Sequence, residues 1–374
     1  MNRNKIPVHA KDVKRFPGIT DNILVSFVHG YENLDIKLVE KNRPALWQRI
    51  NGVDKVYNYP FPRSPEDFKK LEHLIFGTMP NKNSQNFKKL PRFGFTGIQQ
   101  NDGHIYVGSW NSIYEIECDS FELKRIITNN LMSDMHGICV TDEIVVTVLT
   151  SKDTVVFSDM DGNVIEHFSV LNDLNVVKDE SIEEIDWRFI SKQFRGSTGY
   201  WHFNYVQKFG DEIWLTSRNA NAFVVVDIKQ KKAWMRLMNL PTPVLLHDGI
   251  YYKGRFYFTS IDGKIIITED GIKTGKTDRE NVENIQLYNR DLVSKVIRLN
   301  ETSLDREPNW CRGIACKNGT INVTIDGRYD TELSFGLLSL TEEGEIKGYS
   351  KIRWSDIGEE NEIRYVTGFD ILIL

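Results

Sequence analysis

The chain of 374 residues is 40% hydrophobic and 26% charged, the composition of a globular protein with a full core rather than of a disordered or fibrous one. Its 47 basic and 52 acidic side chains leave a net charge of −5 and no Lys/Arg-rich block, so the electrostatic footprint of a nucleic-acid binder is missing. The longest apolar runs are strand-sized, far short of the ~20 residues of a bilayer-spanning helix, and the charged start of the chain lacks the apolar segment of a secretion signal. The expectation is a cytoplasmic protein with neither nucleic-acid nor membrane partners. Cys118, Cys139, Cys311 and Cys316 are scattered, with no Cys-x-x-Cys pair, as free thiols are.

A short repeat organises the chain. Three apolar or mostly apolar residues followed by Gly, Thr or Ser recur as Ile23-Leu24-Val25-Ser26, Ile105-Tyr106-Val107-Gly108, Ile144-Val145-Val146-Thr147, Ile213-Trp214-Leu215-Thr216, Phe256-Tyr257-Phe258-Thr259 and Ile321-Asn322-Val323-Thr324. Most copies are followed by a polar turn and a second β-rich run, such as Ala222-Phe223-Val224-Val225-Val226-Asp227 or Lys264-Ile265-Ile266-Ile267-Thr268. All but the first are preceded by another strand and a tight turn, as Phe95-Thr96-Gly97-Ile98 precedes Asp102-Gly103. The strand missing before Ile23 reappears at the other end, from Arg364 to Leu372. Four-stranded units closed by both termini predict an all-β fold, a six-bladed β-propeller whose last blade is shared between the N- and C-terminal segments. Closure explains how so many strands avoid exposed edges. The expectation is one domain over residues 1–374, with insertions at about 41–91, 170–199 and 271–307. Ser64-Pro65-Glu66-Asp67 reads as a helix start ahead of Phe68, Leu71 and Ile75, and Ile182, Ile185, Phe189 and Ile190 have helical spacing. Helices over one mouth of the channel follow from these insertions.

The first strand of each blade lines a propeller's channel. Counting back from the repeat anchors gives an inner ring of Thr96, His136, His202, His247, Arg312 and Thr367. Eight histidines placed at random would put roughly a tenth of one at six chosen positions, yet three stand here. Asp134, Asp248, Trp201 and Trp310 adjoin them, the tryptophans on alternate positions that pack between blades. Turns on the same mouth add His29, Trp110, Arg218, Asn219, Asn221, Asp262 and Arg328 as substrate-binding candidates, with Trp110 suited to stacking on a sugar.

Three readings fit the ring. His136, His202 and His247 can hold a divalent metal (Mn, Zn or Fe) with a position open for substrate, with Asp134 or Asp248 behind them. The same imidazoles can act without metal as nucleophile or general acid and base, beside an arginine whose planar fork suits carboxylate, sulfate or phosphate. The third reading is a wet channel with no chemistry. Phosphate loops, nucleophile elbows and His-Glu-x-x-His helices are absent from the sequence.

As architecture, residues 20–374 resemble the six-bladed propeller group of gluconolactonase, streptogramin-lyase and NHL-repeat proteins. The lactonase type implies a Glu/Asn/Asp calcium site, from which this His-rich ring departs. The ring is more similar to propeller lyases acting on uronate sugars, which implies histidine-bound manganese, and to arylsulfate sulfotransferases, which implies channel histidines and arginine. Carotenoid-cleaving propellers use four metal histidines against three here. The expectation is an enzyme for a small polar anionic substrate, a sugar acid or sugar derivative, with catalytic His136, His202, His247 and Arg312. A metal-assisted lyase, hydrolase or isomerase is the first form of it, a metal-free group-transfer enzyme the second, and a non-catalytic binding propeller the alternative.

Overall fold

The computed structural model describes residues 18–19, 22–31, 45–60, 92–150, 152–178, 200–220, 222–237, 245–268, 293–299, 310–326, 334–356 and 363–374. These residues form β-strands joined by turns, with a single 3-10 turn at Trp354–Asp356 and no α-helix among them. The first strands are β1 (Ile23–Tyr31), β2 (Ala45–Ile50) and β3 (Val53–Asn58). Next come β4 (Arg92–Asn101), β5 (His104–Ser109), β6 (Ile113–Glu117) and β7 (Leu123–Ile127). A second group is β8 (Met135–Val140), β9 (Ile144–Leu149), β10 (Thr154–Asp159), β11 (Val164–Val170) and the short β12 (Val176–Val177). A third is β13 (Phe203–Phe209), β14 (Glu212–Ser217), β15 (Ala222–Asp227) and β16 (Lys232–Leu237). Then follow β17 (Leu246–Tyr252), β18 (Arg255–Ser260), β19 (Lys264–Thr268) and β20 (Val293–Arg298). The last are β21 (Trp310–Lys317), β22 (Thr320–Asp326), β23 (Ser334–Thr341), β24 (Ile346–Arg353) and β25 (Ile363–Ile373).

Three four-stranded sheets, β13–β16, β17–β20 and β21–β24, and the five-stranded β8–β12 are antiparallel meanders in chain order. The expected closure is present: β25 pairs antiparallel with β1 from Ile23↔Ile373 to Tyr31↔Ile363. One feature departs from the expected separate units. β1 also pairs with β4 through Val28↔Gly94, His29↔Phe93 and Gly30↔Arg92, fusing β25-β1-β2-β3 and β4–β7 into one eight-stranded sheet. Gly94 makes this crossing feasible. Its φ is +113°, and a Cβ there would sit 2.3 Å from the Phe27 carbonyl oxygen.

The insertion boundaries also need correcting. Residues 45–58, assigned to the first insertion, are a hairpin that extends the β1 sheet, with Ala45↔Asn58 and Ile50↔Val53 paired. Its turn is Asn51-Gly52, both at positive φ (50° and 77°), the signature of a tight two-residue hairpin that the sequence carried openly. Val176–Val177 and Val293–Arg298 likewise place strands inside the second and third insertions. The helices expected around residues 64–75 and 180–194 lie outside the described residues.

The sheets stand face to face in a propeller-like arrangement, so the core is a succession of apolar layers between them. Val146, Val155 and Phe168 of one sheet pack with Val206, Leu215 and Val224 of the next, together with Trp201. Trp214 and Phe223 meet Phe256, Phe258 and Ile266 across the following seam. Phe27 and Trp47 meet Phe335 and Trp354, so the layers run on through the closure. A middle strand is therefore covered on both faces, which is why Ala222–Val226 is an uninterrupted apolar run rather than an alternating one.

The innermost strands touch in a closed circuit. Asn204 Nδ2 on β13 donates to the Leu246 carbonyl on β17 at 3.2 Å, and the Thr259 hydroxyl on β18 donates to the Arg312 carbonyl on β21. Thr324 Oγ1 on β22 donates to the Gly368 carbonyl on β25 at 3.1 Å, and Ser26 on β1 to the Thr96 carbonyl on β4. The last two seams, β4 to β8 and β8 to β13, are glycine contacts: a Cβ on Gly97 would lie 2.8 Å from the His136 carbonyl oxygen, and one on Gly137 2.6 Å from that of Asn204.

Those hydroxyls explain the final position of the repeat. Each bonds twice, accepting from a backbone N–H of its own sheet and donating to the inner strand of the next. Thr216 accepts from Tyr205 N (3.1 Å) and donates to the His247 carbonyl (3.4 Å). Thr259, Thr324 and Ser26 accept from Asp248, Gly313 and Asp370 N respectively. In the second unit the pairing slips by one residue, leaving Thr147 opposite Ile138 with its hydroxyl buried and without a hydrogen-bond partner among the described residues.

Candidate functional site

Each inner strand carries a bulge, two residues opposing one, and the bulge re-aims its first residue toward the centre of the circuit. The breaks in register fall at Phe95/Ile98, Met135/Ile138, Phe203/Val206, Leu246/Gly249 and Cys311/Ile314. In β25 the extra residue lies between Gly368 and Asp370, which pair with Phe27 and Ser26. Register therefore makes Thr96, His136, Asn204, His247, Arg312 and Phe369 equivalent. Four of these six are the expected ring members. In the third unit Asn204 takes the place given to His202, and in the closing strand Phe369 takes the place given to Thr367. The side chain of Thr367 lies outside the described residues.

The members converge. The His136 imidazole centroid is 5.8 Å from that of His247 and 5.9 Å from that of His202. Phe369 reaches across from β25, its ring 5.3 Å from His136 and 5.1 Å from His247, and the Arg312 guanidinium lies 5.3 Å over its face. His202 enters from the turn before β13 in the left-handed region, at φ 54°. Asp153 holds it there, accepting from Trp201 N (2.8 Å) and His202 N (2.9 Å). Burial raises the Asp153 carboxyl to about 6 against the lowering effect of those N–H groups.

Hydrogen bonding fixes the protons on two imidazoles. Asn204 donates from Nδ2 to the Leu246 carbonyl, so its Oδ1 accepts from His136 Nδ1 at 2.5 Å. The neutral His136 ring then has its lone pair on Nε2, 4.0 Å from Asp134 Oδ1. Arg312 has only donors, so its Nη1, 3.1 Å from His247 Nε2, requires a lone pair there and the His247 proton on Nδ1. That Nδ1 is buried and has no hydrogen-bond partner among the described residues. Burial first, then the positive charge of Arg312, pushes the His247 pKa well below its ordinary value. One ring thus offers a basic nitrogen and the other an N–H, beside a guanidinium.

The second bulge position completes the surroundings. Asp248 and Asp370 occupy it in their strands, and Asp248 Oδ1 accepts from Gly249 N at 2.8 Å. Asp370 also accepts from Ile98 N (2.8 Å) and Ile371 N (2.7 Å). Burial first, then the neighbouring Asp370 charge, holds the Asp248 carboxyl well above the ordinary carboxylate range, and burial raises that of Asp370.

The expected three-histidine metal set is not formed. His136 Nδ1 faces Asn204 and His247 Nε2 faces Arg312, and among the described residues no three His, Cys, Asp or Glu side chains are placed to hold a metal ion. Of the other candidates, Arg218 and Asn219 adjoin the site through backbone bonds to the His202 and Trp201 carbonyls (both 3.3 Å), and Arg218 adds its charge to the field on His247. The Trp110 carbonyl accepts from Met135 N next to His136. Asp262 is turned to Ser260 and Lys264. Trp201 is buried between two sheets, as its position in the strand suggested. Arg328, Asn221 and the side chains of His29 and Trp310 lie outside the described residues.

No protein-family model matches the chain, and no curated protein does. Among solved structures it is similar to a member of the DUF4221 family from Bacteroides vulgatus, at 10% identity over 74% of this chain and 92% of that one, with a TM-score of 0.42. A catalytically inactive virginiamycin B lyase from Staphylococcus aureus with quinupristin is similar at 14% identity over 77% and 75%, TM-score 0.38. The Swd1 β-propeller domain of Myceliophteria thermophila is similar at 7% identity over 66% of each chain, TM-score 0.38. These likenesses are too distant to bear on activity.

Proposed function

We propose that the chain is a single-domain, six-bladed β-propeller enzyme for a small polar anionic substrate, working without a metal at His136, His247 and Arg312. In this reading the eight-stranded sheet is two blades, β25-β1-β2-β3 and β4–β7, joined where β1 crosses β4. The observation that carries the function is the Arg312–His247 bond, because it leaves a buried Nδ1–H unanswered beside a permanent cation. A carboxylate, sulfate or phosphate oxygen is the acceptor such an N–H takes, and the neighbouring guanidinium favours its negative charge. His136, with Nδ1 held by Asn204, takes a proton at Nε2, and the neutral His247 serves as a hydrogen-bond donor from Nδ1. A sugar acid, with an anionic group on a hydroxyl-rich body, supplies both an anchor for Arg312 and a proton for His136.

Arg312→Lys tests it, since lysine keeps the charge but loses the planar fork. Calorimetric titration with sulfate and with a uronic acid is expected to show affinity reduced by about 1.5 to 3 kcal/mol, roughly 10- to 150-fold, with melting nearly unchanged. A mutant that melts lower yet binds both anions as the parent does refutes the assignment. Binding without turnover in a substrate screen would instead leave a binding propeller.

A further inference from the structure

We infer that Phe369 is the positioning residue of this site: its ring closes the channel at the level of the histidines and holds the Arg312 guanidinium and the two imidazoles where they act. The inference rests on the anion-site reading but stands on its own geometry. Phe369 belongs to β25, and the groups it touches come from β8, β17 and β21. A side chain that meets three other inner strands of one circuit, two of them not neighbours of its own, must lie across the axis. It is only 4% exposed, so the surrounding groups cover it almost completely.

Three consequences follow. A ring lying across the axis blocks the channel at the level of the histidines. The ring face gives Arg312 a fixed platform, which directs Nη1 at His247 Nε2 rather than letting the long side chain sample other rotamers. The apolar ring packs against both imidazoles, whose nitrogens face Asn204 and Arg312. Phe369 makes no contact of its own with the reacting atoms in this scheme. It acts through Arg312 and the imidazoles.

The position is also the one in which the closing strand differs from the rest. The other five inner strands present Thr, His, Asn, His and Arg at the bulge, all polar, whereas here an aromatic ring occupies the extra residue.

The experiment compares the full-length protein with Phe369→Leu, which keeps apolar bulk but loses the ring face, and with Phe369→Ala. Two readouts are taken: 15N chemical shifts of the imidazoles without ligand, and calorimetric affinity for inorganic sulfate. In the parent, His247 is expected to show a single tautomer protonated at Nδ1. Phe369→Leu is expected to bind sulfate about thirtyfold more weakly, the scale of a desolvated cation–π contact, and to show His247 as a mixture of tautomers, with little change in melting. Phe369→Ala is expected to lose the Nδ1 signature fully. The inference is overturned if both variants keep the parental sulfate affinity and His247 signature and merely melt at lower temperature. Should Phe369→Ala not fold, Phe369→Leu decides alone. If the parent itself binds no sulfate, the anion-site reading fails, while the imidazole shifts still decide the role of Phe369.

Discussion

Gly137→Ala isolates how tightly the inner strands must approach for the site to exist. Gly137 does not lie at positive φ, so alanine suffers no backbone strain and the effect is steric alone. The added Cβ would stand 2.6 Å from the Asn204 carbonyl oxygen and 3.1 Å from both Tyr205 Cα and Val206 N, all backbone atoms that no rotamer change can move. An ordinary contact begins near 3.4 Å, so β8 and β13 must separate by about 0.8 Å at this seam. Forcing atoms into a packed interior costs about 1–3 kcal/mol, and this backbone-on-backbone case belongs at the upper end. Unfolding entropy of ~2.1 cal/mol/K per residue over 374 residues converts about 3 kcal/mol into a fall of roughly 4 °C in Tm. The shift also displaces Asn204, so the His136 Nδ1–H resonance should move or exchange faster. Gly108→Ala is the control: its tight contacts would be with side-chain atoms that can yield, Thr96 Oγ1 at 3.0 Å and Ile138 Cγ2 at 3.2 Å, while the Gly97 carbonyl oxygen stays at an ordinary 3.6 Å. Urea unfolding and calorimetry on the two mutants measure the difference. If Gly137→Ala is as stable as Gly108→Ala within about 0.5 kcal/mol, the seam is not close-packed and the reasoning is wrong.

Two threonines at successive repeats should respond in opposite ways. Thr259→Val strands the buried Asp248 N–H and Arg312 carbonyl and should destabilise by about 1–3 kcal/mol, whereas Thr147→Val removes a hydroxyl with no partner among the described residues and should be neutral or stabilising; equal losses in urea unfolding would discredit the hydroxyl clamp. Asp153 sets a pH dependence whose sign follows from its raised carboxyl: the folded state holds the proton more tightly than the unfolded chain, so stability is greatest below 3.8 and declines as pH rises through about 6. The full contribution is about 3 kcal/mol between those limits. Asp153→Asn carries no such proton, and the two stability curves should therefore differ in slope between pH 4 and 6 and run parallel above pH 7; parallel curves throughout would remove Asp153 from the linkage.

The sequence by itself determined most of the described strands and the closure. Each depends on local pattern: apolar runs ended by Gly, Thr or Ser, tight-turn residues between them, and a strand absent at one end and present at the other. It also located His136, His247 and Arg312, because the count from a repeat anchor to the inner strand holds wherever the intervening turn keeps its length. The count failed in the third unit and in the closing strand. There the bulge, not the count, decides which residue holds the ring position, and it gave that place to Asn204 and Phe369, while His202 reaches the cluster from the turn before β13. A bulge is imposed by contact with the neighbouring sheets, where glycines such as Gly97, Gly137 and Gly313 let backbones meet, and no period in the chain encodes it. The Asn51-Gly52 hairpin was legible and lay inside a stretch assigned to an insertion. Tertiary structure alone decided the chemistry of the ring. What a histidine faces depends on its neighbours across two seams, and here His136 Nδ1 faces Asn204 and His247 Nε2 faces Arg312.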